Sequence, residues 1–444
     1  MLEKVAGCNL SSKLRAILLM EADFNANNKL IYGVRMLDNA RKYGLMAEEI
    51  FSEVGKTAED GALSKTFFYD IVRQCRLAAA IGSVDASNCY DSIAHAIASL
   101  IFQAYGIPVE GVEMMLEAIE EMKYFLRTAF GDSKHFRGSK IEVKYQGLCQ
   151  GNGAAPAGWA VISITILNAH KRKGHGATFM CPISRTPTTL AAILYVDDCD
   201  LIHIDMTSED SVYVTFEKMQ ESILNWGRLL IASGGGYKPV KCFYHLISFK
   251  WDRKGKWAYE PNHEKEEFDM MVPMPDGSMA VIDHLSVTTP KETLGVWSCP
   301  DGDAAGALTA MKEKAQDWVD RAKEGSLRRK DVWFLLDCQF WPGVGFGLCC
   351  NTAPFKALEG VLSKQYFNLI PLGGVIRTAP AVIRQLGKGF YGVGCPHPGI
   401  ECFVGQISKL LMHYGCPSGL GQRDPSCRVR CPAGSAAVGD GRDA

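Results

Sequence analysis

The chain of 444 residues has no apolar run long enough to cross a bilayer, no internal repeat and almost no net charge. Its longest apolar stretch, residues 159–167, falls well short of the roughly 20 residues a membrane helix needs. Without a repeat of fixed period, solenoids and propellers are disfavoured. A formal charge of −1 argues against whole-surface attraction to nucleic acid. Met1-Leu2-Glu3-Lys4 shows no signal-peptide pattern, so the expectation is a soluble, intracellular protein with no membrane partner, whether nuclear or cytoplasmic. Residues 417–444 are nearly devoid of apolar side chains and are expected to be disordered.

Cysteine, by contrast, is plentiful. Most of the 16 cysteines, Cys89, Cys149, Cys199, Cys242 and Cys338 among them, sit singly within apolar segments, where a thiol packs as a small hydrophobe. Reduced thiols are therefore expected. A hydrophobic content of 47% suits a globular fold. Charge is uneven, basic at 171–173, 250–256 and 321–330 and acidic at 110–121 and 260–269, which leaves room for a local basic channel.

The chain is organised around residues 190–205, two apolar runs broken by Tyr195-Val196-Asp197-Asp198. Runs at 191–194 and 201–204 have the length of buried strands, and Asp is accepted in tight turns, so the pattern predicts a β-hairpin tipped with carboxylates. Two neighbouring carboxylates repel each other, and a hard divalent cation would explain them. A solvent-exposed Asp-Asp turn is the alternative.

Upstream, residues 13–19 read as a short strand with Arg15 near its head, leading into a polar helical segment that ends near Arg35. Thr57, with Asp60 three positions on, suits a helix N-cap, and Lys56 beside it would touch phosphate or nothing. The helix that follows carries Leu63, Phe67, Ile71 and Cys75 at i, i+4 spacing. A small-residue strand then delivers Asp85 at its carboxyl end, where α/β proteins place chemistry and where a helix cap is the plainer reading. A helix over 92–105 follows, with Ile93, Ile97, Leu100, Ile101 and Ala104 as its apolar positions, then a helix over 109–130 and a strand over 140–145.

Residues 147–159 are glycine-rich and open a helix, an arrangement that lets backbone approach a flat or charged ligand. A helix over 212–232 ends at Gly234-Gly235-Gly236, Lys241 precedes a strand at 245–249, and another short strand is expected at 293–297. Residues 251–290 read as an irregular insertion, and 305–350, 355–368 and 400–413 as helices.

Taken in order, Arg15, Asp85 with Tyr90, Gln150-Gly151, Tyr195-Val196-Asp197-Asp198, Lys241 and Leu294-Gly295 resemble the motifs of a reverse transcriptase of the LINE-type, non-long-terminal-repeat retrotransposons, over roughly residues 10–350. The resemblance implies an α+β right-hand polymerase: partial fingers over 1–79, an antiparallel palm sheet over 80–302 with finger or insert segments at 106–145 and 251–290, and a helical thumb with C-terminal helices over 303–416. It implies RNA-directed DNA polymerisation by a nucleotidyltransferase of retroelement type, with an RNA template, a DNA primer and dNTPs as partners and two Mg2+ or Mn2+ ions as cofactors. Asp85 and Asp197 would bridge the metals with Asp198 beside them. Tyr90 would exclude a ribose 2'-hydroxyl, Arg15 would meet the triphosphate, Gln150 and Gly151 would lie against the templating pair, and Lys241 would protonate pyrophosphate. Arg15 and Lys241 also read as solvated cations.

Asn152, Gly153 and Ala155 depart from the family's usual turn, and the short sequence before Arg15 leaves the fingers partial. No endonuclease or ribonuclease H segment is read in the chain. Cys395, His397, Cys402, His413 and Cys416 invite a zinc reading, but their spacing fits no standard knuckle. Two rival readings are an RNA-dependent RNA polymerase, against which Tyr90 and the Tyr-Val-Asp-Asp form weigh, and an inactive palm serving as a nucleic-acid-binding scaffold.

Overall fold

The computed structural model describes residues 2–3, 14–15, 17–128, 131–137, 146–180, 185, 187–204 and 212–414. The strand expected at 140–145 and the tail from 417 onward lie outside these residues.

Five strands form the central sheet: β1 (Ala79–Asp85), β2 (Ala192–Tyr195), β3 (Asp198–Ile204), β4 (Phe243–Ile247) and β5 (Asp283–His284), in the order β5-β4-β1-β3-β2. The sheet is mixed rather than wholly antiparallel, because the edge strand β5 runs parallel to β4 while every other pair is antiparallel. Every residue of β1 is buried, which explains its unbroken run of small and apolar residues: helices cover both faces.

On one face lie α1 (Ala58–Cys75) and its core partners Phe68, Tyr69 and Val72, packed with Ile81, Ile202 and Ile247. The capping box is present, with Thr57 Oγ1 accepting from the Asp60 amide and Asp60 Oδ2 accepting from the Thr57 amide. The expected stripe is rotated, however. Leu63 is buried, but Phe67 and Ile71 are only half-buried and Cys75 is exposed, because the helix turns Ala62, Phe68, Tyr69 and Val72 toward the sheet.

Behind the opposite face stand α2 (His95–Ala104), α3 (Val109–Glu121), α4 (Ala155–Arg172) and α5 (Val212–Ala232). Ile162, Met219, Ile223 and Trp226 belong to the same core as Ala80, Val84 and Leu201 of the sheet. Gly82 is required there, since an added Cβ would stand 2.8 Å from Ile223 Cδ1. The helix α2 begins three residues later than the sequence suggested and buries Ala98 and Phe102, leaving Leu100 67% exposed.

Before α1, the chain is helical from Ala22 to Lys42 and buries Tyr32 and Met36. The strand expected at 13–19 shortens to Leu14–Arg15, antiparallel to Leu2–Glu3. The segment 251–290 contains two small hairpins, Phe249–Trp251 with Trp257–Tyr259 and Met271–Pro273 with Met279–Val281.

The expected strand at 293–297 is instead a tight hairpin between Lys291–Thr293 and Val296–Ser298. Leu294 (φ 54°) and Gly295 (φ 76°) form its two-residue turn. Two successive positive φ angles are what a type I′ turn demands, and the Gly supplies the second.

Helices α6 (Ala305–Glu324) and α7 (Pro398–Tyr414), with shorter helices between them, build a separate core around Met311, Val319, Phe340, Leu362, Tyr366 and Leu369. Among the described residues, the helical run 329–350 is long and apolar enough by length and composition to cross a membrane. It supplies Val332, Leu336, Phe340, Val344 and Leu348 to this core.

Candidate active site

The register between β1 and β3 places Asp85 directly opposite Asp198, and Ser83 opposite Asp200. Side chains alternate across a strand, so these four polar residues share the α1 face of the sheet with Ile81 and Ile202. Asp197 lies outside this alternation, in the two-residue turn that joins β2 to β3. Its neighbour Val196 has φ 55°, which is strained for a β-branched residue. The turn is fastened by Trp159 of α4, whose Nε1–H donates to the Val196 carbonyl at 2.6 Å. The Ala86 amide donates to the Asp197 carbonyl at 3.4 Å and ties the turn to the end of β1.

Gly234 (φ 98°) ends α5, and the 3-10 turn Pro239–Lys241 then brings Lys241 Nζ to 2.7 Å from Asp85 Oδ2. That hydrogen bond raises the Lys241 pKa above its ordinary value, partly opposed by loss of water and supported by the charges of Asp85, Asp197 and Asp198. Asp198 is pushed up to about 6, first by removal from water, although solvent still reaches it, and then by the carboxylates of Asp197, Asp200 and Asp85; Lys241 opposes the rise. Like charges placed opposite one another across a ladder destabilise each other. Tyr90 is half-buried, and burial, with Cys89 and the charge of Asp197 behind it, pushes its hydroxyl up to about 12. The structure thus brings together Asp85, Asp197, Asp198, Lys241 and Tyr90.

The donors are of the hard oxygen kind that Mg2+ and Mn2+ prefer, and the raised Asp198 pKa records negative charge in excess of what Lys241 neutralises. Among the described residues, no three His, Cys, Asp or Glu side chains stand grouped as a formed metal cage, and Asp85 carries an ammonium group on one oxygen.

Sequence reasoning missed the polar network directly beside this site. Lys65 of α1 is buried, and its Nζ donates to Asp200 Oδ1 at 2.9 Å, Ser83 Oγ at 3.1 Å and Thr293 Oγ1 at 2.9 Å. Ser83 Oγ also donates to Asp200 Oδ1. The one available signal was polar Ser83 and Asp200 at the same parity in two strands that are otherwise apolar.

The glycine-rich turn is filled by the chain itself. Gly151 has φ 113°, and a Cβ there would lie 2.2 Å from the Leu18 carbonyl oxygen. The Leu18 amide donates to the Gln150 carbonyl at 2.8 Å, the Gly153 amide to Asn25 Oδ1 at 2.5 Å and the Gln150 amide to Asp91 Oδ1 at 3.1 Å. The backbone that approaches these glycines is therefore residues 17–25, not a ligand. The Gln150 side chain remains half-buried. Arg15 is described only by its backbone pairing with Leu2. Lys56 donates to the Glu48 and Ile50 carbonyls at 2.8 and 3.0 Å, so it braces its own loop.

The residues of the zinc reading are dispersed among other tasks. Cys395 and Cys402 belong to the core of the C-terminal helices. His397 Nδ1 accepts from the Gly399 and Ile400 amides at the start of α7. His413 Nε2 lies 3.2 Å from Asp60 Oδ1, and Cys416 is outside the described residues.

No protein-family model matches the chain. No curated protein matches it either. Among solved structures, it is similar to apo telomerase from Candida tropicalis, with 12% identity and a TM-score of 0.37 over 90% of this chain and 60% of that one. It is also similar to telomerase from Candida albicans in complex with a TWJ fragment of telomeric RNA, with 12% identity and a TM-score of 0.34 over 84% of this chain and 50% of that one. The chain thus spans 50–60% of the length of these structures.

Proposed function

We propose that the chain is an RNA-directed DNA polymerase that extends a primer by nucleotidyl transfer, of the retroelement kind its motifs resemble. The observation that carries this reading is the meeting of Asp85, Asp197 and Asp198 at the joined ends of β1 and the β2–β3 hairpin, with Lys241 on Asp85 and Tyr90 within electrostatic reach of Asp197. The five-stranded sheet would be the palm, the region before β1 the fingers and the C-terminal helices the thumb.

Asp85, Asp197 and Asp198 would hold two Mg2+ or Mn2+ ions, which would supply activation of the primer 3'-hydroxyl and neutralisation of the triphosphate. Lys241 is raised in pKa and therefore holds its proton at neutral pH, as a donor to a departing pyrophosphate must. Its ion pair with Asp85 would have to open when a cation binds that carboxylate. Tyr90, uncharged throughout the physiological range, presents a flat ring suited to exclude a 2'-hydroxyl. Arg15 and Gln150-Gly151 would contact the triphosphate and the templating pair. A second reading, an inactive scaffold, is favoured by the same Lys241–Asp85 pair if it never opens.

Primer extension on an RNA template with Mg2+, comparing dNTPs with rNTPs, tests the assignment. The wild type is expected to incorporate dNTPs, the Asp197→Ala, Asp198→Ala double variant to incorporate neither, and Tyr90→Ala to accept rNTPs. Extension by the wild type with rNTPs alone would replace this reading with an RNA polymerase. A folded chain that binds duplex and extends nothing would leave the scaffold.

A further inference from the structure

The helix α7 meets the rest of the chain through polar groups. Lys409 Nζ stands 2.7 Å from Asp60 Oδ1 and 3.1 Å from Thr57 Oγ1, and Gln406 Nε2 donates to the Asn351 carbonyl at 3.1 Å. Gly405 lies over Cys349, close enough that an added Cβ would be 3.1 Å from that residue's Cβ.

The outer side of the same helix is apolar: Ile400 is 51% exposed, Phe403 61%, Val404 50%, Ile407 40%, Leu411 66% and Met412 46%. A helix at the surface of a soluble domain ordinarily buries such a side. Ile400, Val404, Ile407 and Leu411 succeed one another at spacings of four, three and four residues, the seam of a two-helix coiled coil.

We propose that this side is the contact between two copies of the chain, with the two α7 helices packed antiparallel about a two-fold axis between Gly405 and Gln406. The pattern is its own complement about that point. Ile400 of one copy meets Leu411 of the other, Val404 meets Ile407, and Glu401 stays at the margin. Antiparallel packing also sets each helix's positive end against the other's negative end.

The six side chains leave about 600 Å2 uncovered per copy, or about 1,200 Å2 over both, which is the lower bound for a stable specific interface. An unrelated partner would not require the residues to mirror one another along the helix. The dimer stands independently of the polymerase reading, because α7 shares no residue with the carboxylate site.

Sedimentation velocity of the full chain over a wide concentration range is the test. The wild type is expected to sediment as a dimer at the upper concentrations. Val404→Glu alone and Ile407→Lys alone are expected to be monomers with unchanged circular dichroism and unfolding midpoint. An equimolar mixture of the two variants is expected to recover a dimer, since the introduced acid and base then face one another.

A wild type that is monomeric throughout would overturn the proposal and assign the face to another segment of this chain or to a different protein. A dimer that persists in both variants would overturn it as well, and a mixture that stays monomeric would overturn the antiparallel axis. Should the charged variants fail to fold, Ile407→Ser removes apolar area without adding charge and must weaken association at least about tenfold.

Discussion

A lysine placed wholly out of water needs its charge matched, and Lys65 is matched by one carboxylate and two hydroxyls drawn from three separate parts of the chain. Removing one partner of such a pair leaves the other charge buried and alone, which costs about 3–5 kcal/mol. Lys65→Met is expected to lower the free energy of unfolding in urea by that amount, and a loss below about 1 kcal/mol would contradict the role given to the network. Asp200 and Ser83 lie two residues from Asp198 and Asp85 on the same face, so this network also fixes the strands that carry the candidate catalytic carboxylates. At this scale the sequence was legible where residue type was out of place. Asp85, Asp197 and Asp198 interrupt apolar runs and announce themselves, whereas Lys65 reads as an ordinary solvent-facing helix residue. The pairing of Asp85 with Asp198 rather than Asp197 is a matter of register, which depends on where the hairpin turn falls.

Among elements, the glycine-rich turn shows how a pattern can be right in form and different in use. Its positive φ and close backbone approach are real, but the close neighbour is Leu18. Gly151→Ala would combine a strained φ with a clash against the Leu18 carbonyl, and is expected to destabilise the protein by about 1–3 kcal/mol. Faster limited proteolysis within residues 17–25 would accompany this loss, and an unchanged digestion pattern would contradict it.

The junction of α1 and α7 is a second case. Burial alone would raise the pKa of Asp60, but its hydrogen bonds with His413, Lys409 and Thr57 outweigh that effect and hold the carboxyl well below its model value of 3.8. A folded-state pKa that is depressed stabilises above the unfolded value and loses that stabilisation as pH falls below it. The wild type is expected to lose stability on acidification below about pH 4, while Asp60→Asn starts lower and lacks that portion of the slope. Equal slopes in acid-range thermal melts would rule the contact out. The Thr57 capping box was legible because its signal is local. The rotation of the α1 stripe and the turn at Leu294-Gly295 were not, since the first is set by the sheet beneath and the second by a Leu in a conformation that Leu rarely adopts.

At the scale of the whole molecule, what could be read was the order of motifs: an acid after a small-residue strand, a glycine-rich turn before a helix, an acidic hairpin and then a lysine. That order brought residues as distant as Asp85, Asp198 and Lys241 into one place. The parallel edge strand β5 and the apolar outer side of α7 were beyond it, because both depend on which surfaces remain after the rest has packed.

The central claim, that Asp85 and its neighbours serve nucleotidyl transfer, is tested most directly by the rate of single dNTP addition to a primer on an RNA template, wild type against Asp85→Asn, with both confirmed as folded. The account predicts addition by the wild type and a rate at least about 100- to 1,000-fold lower in the variant. Equal rates in the two proteins, or no addition by a wild type that binds the primer-template, would contradict it.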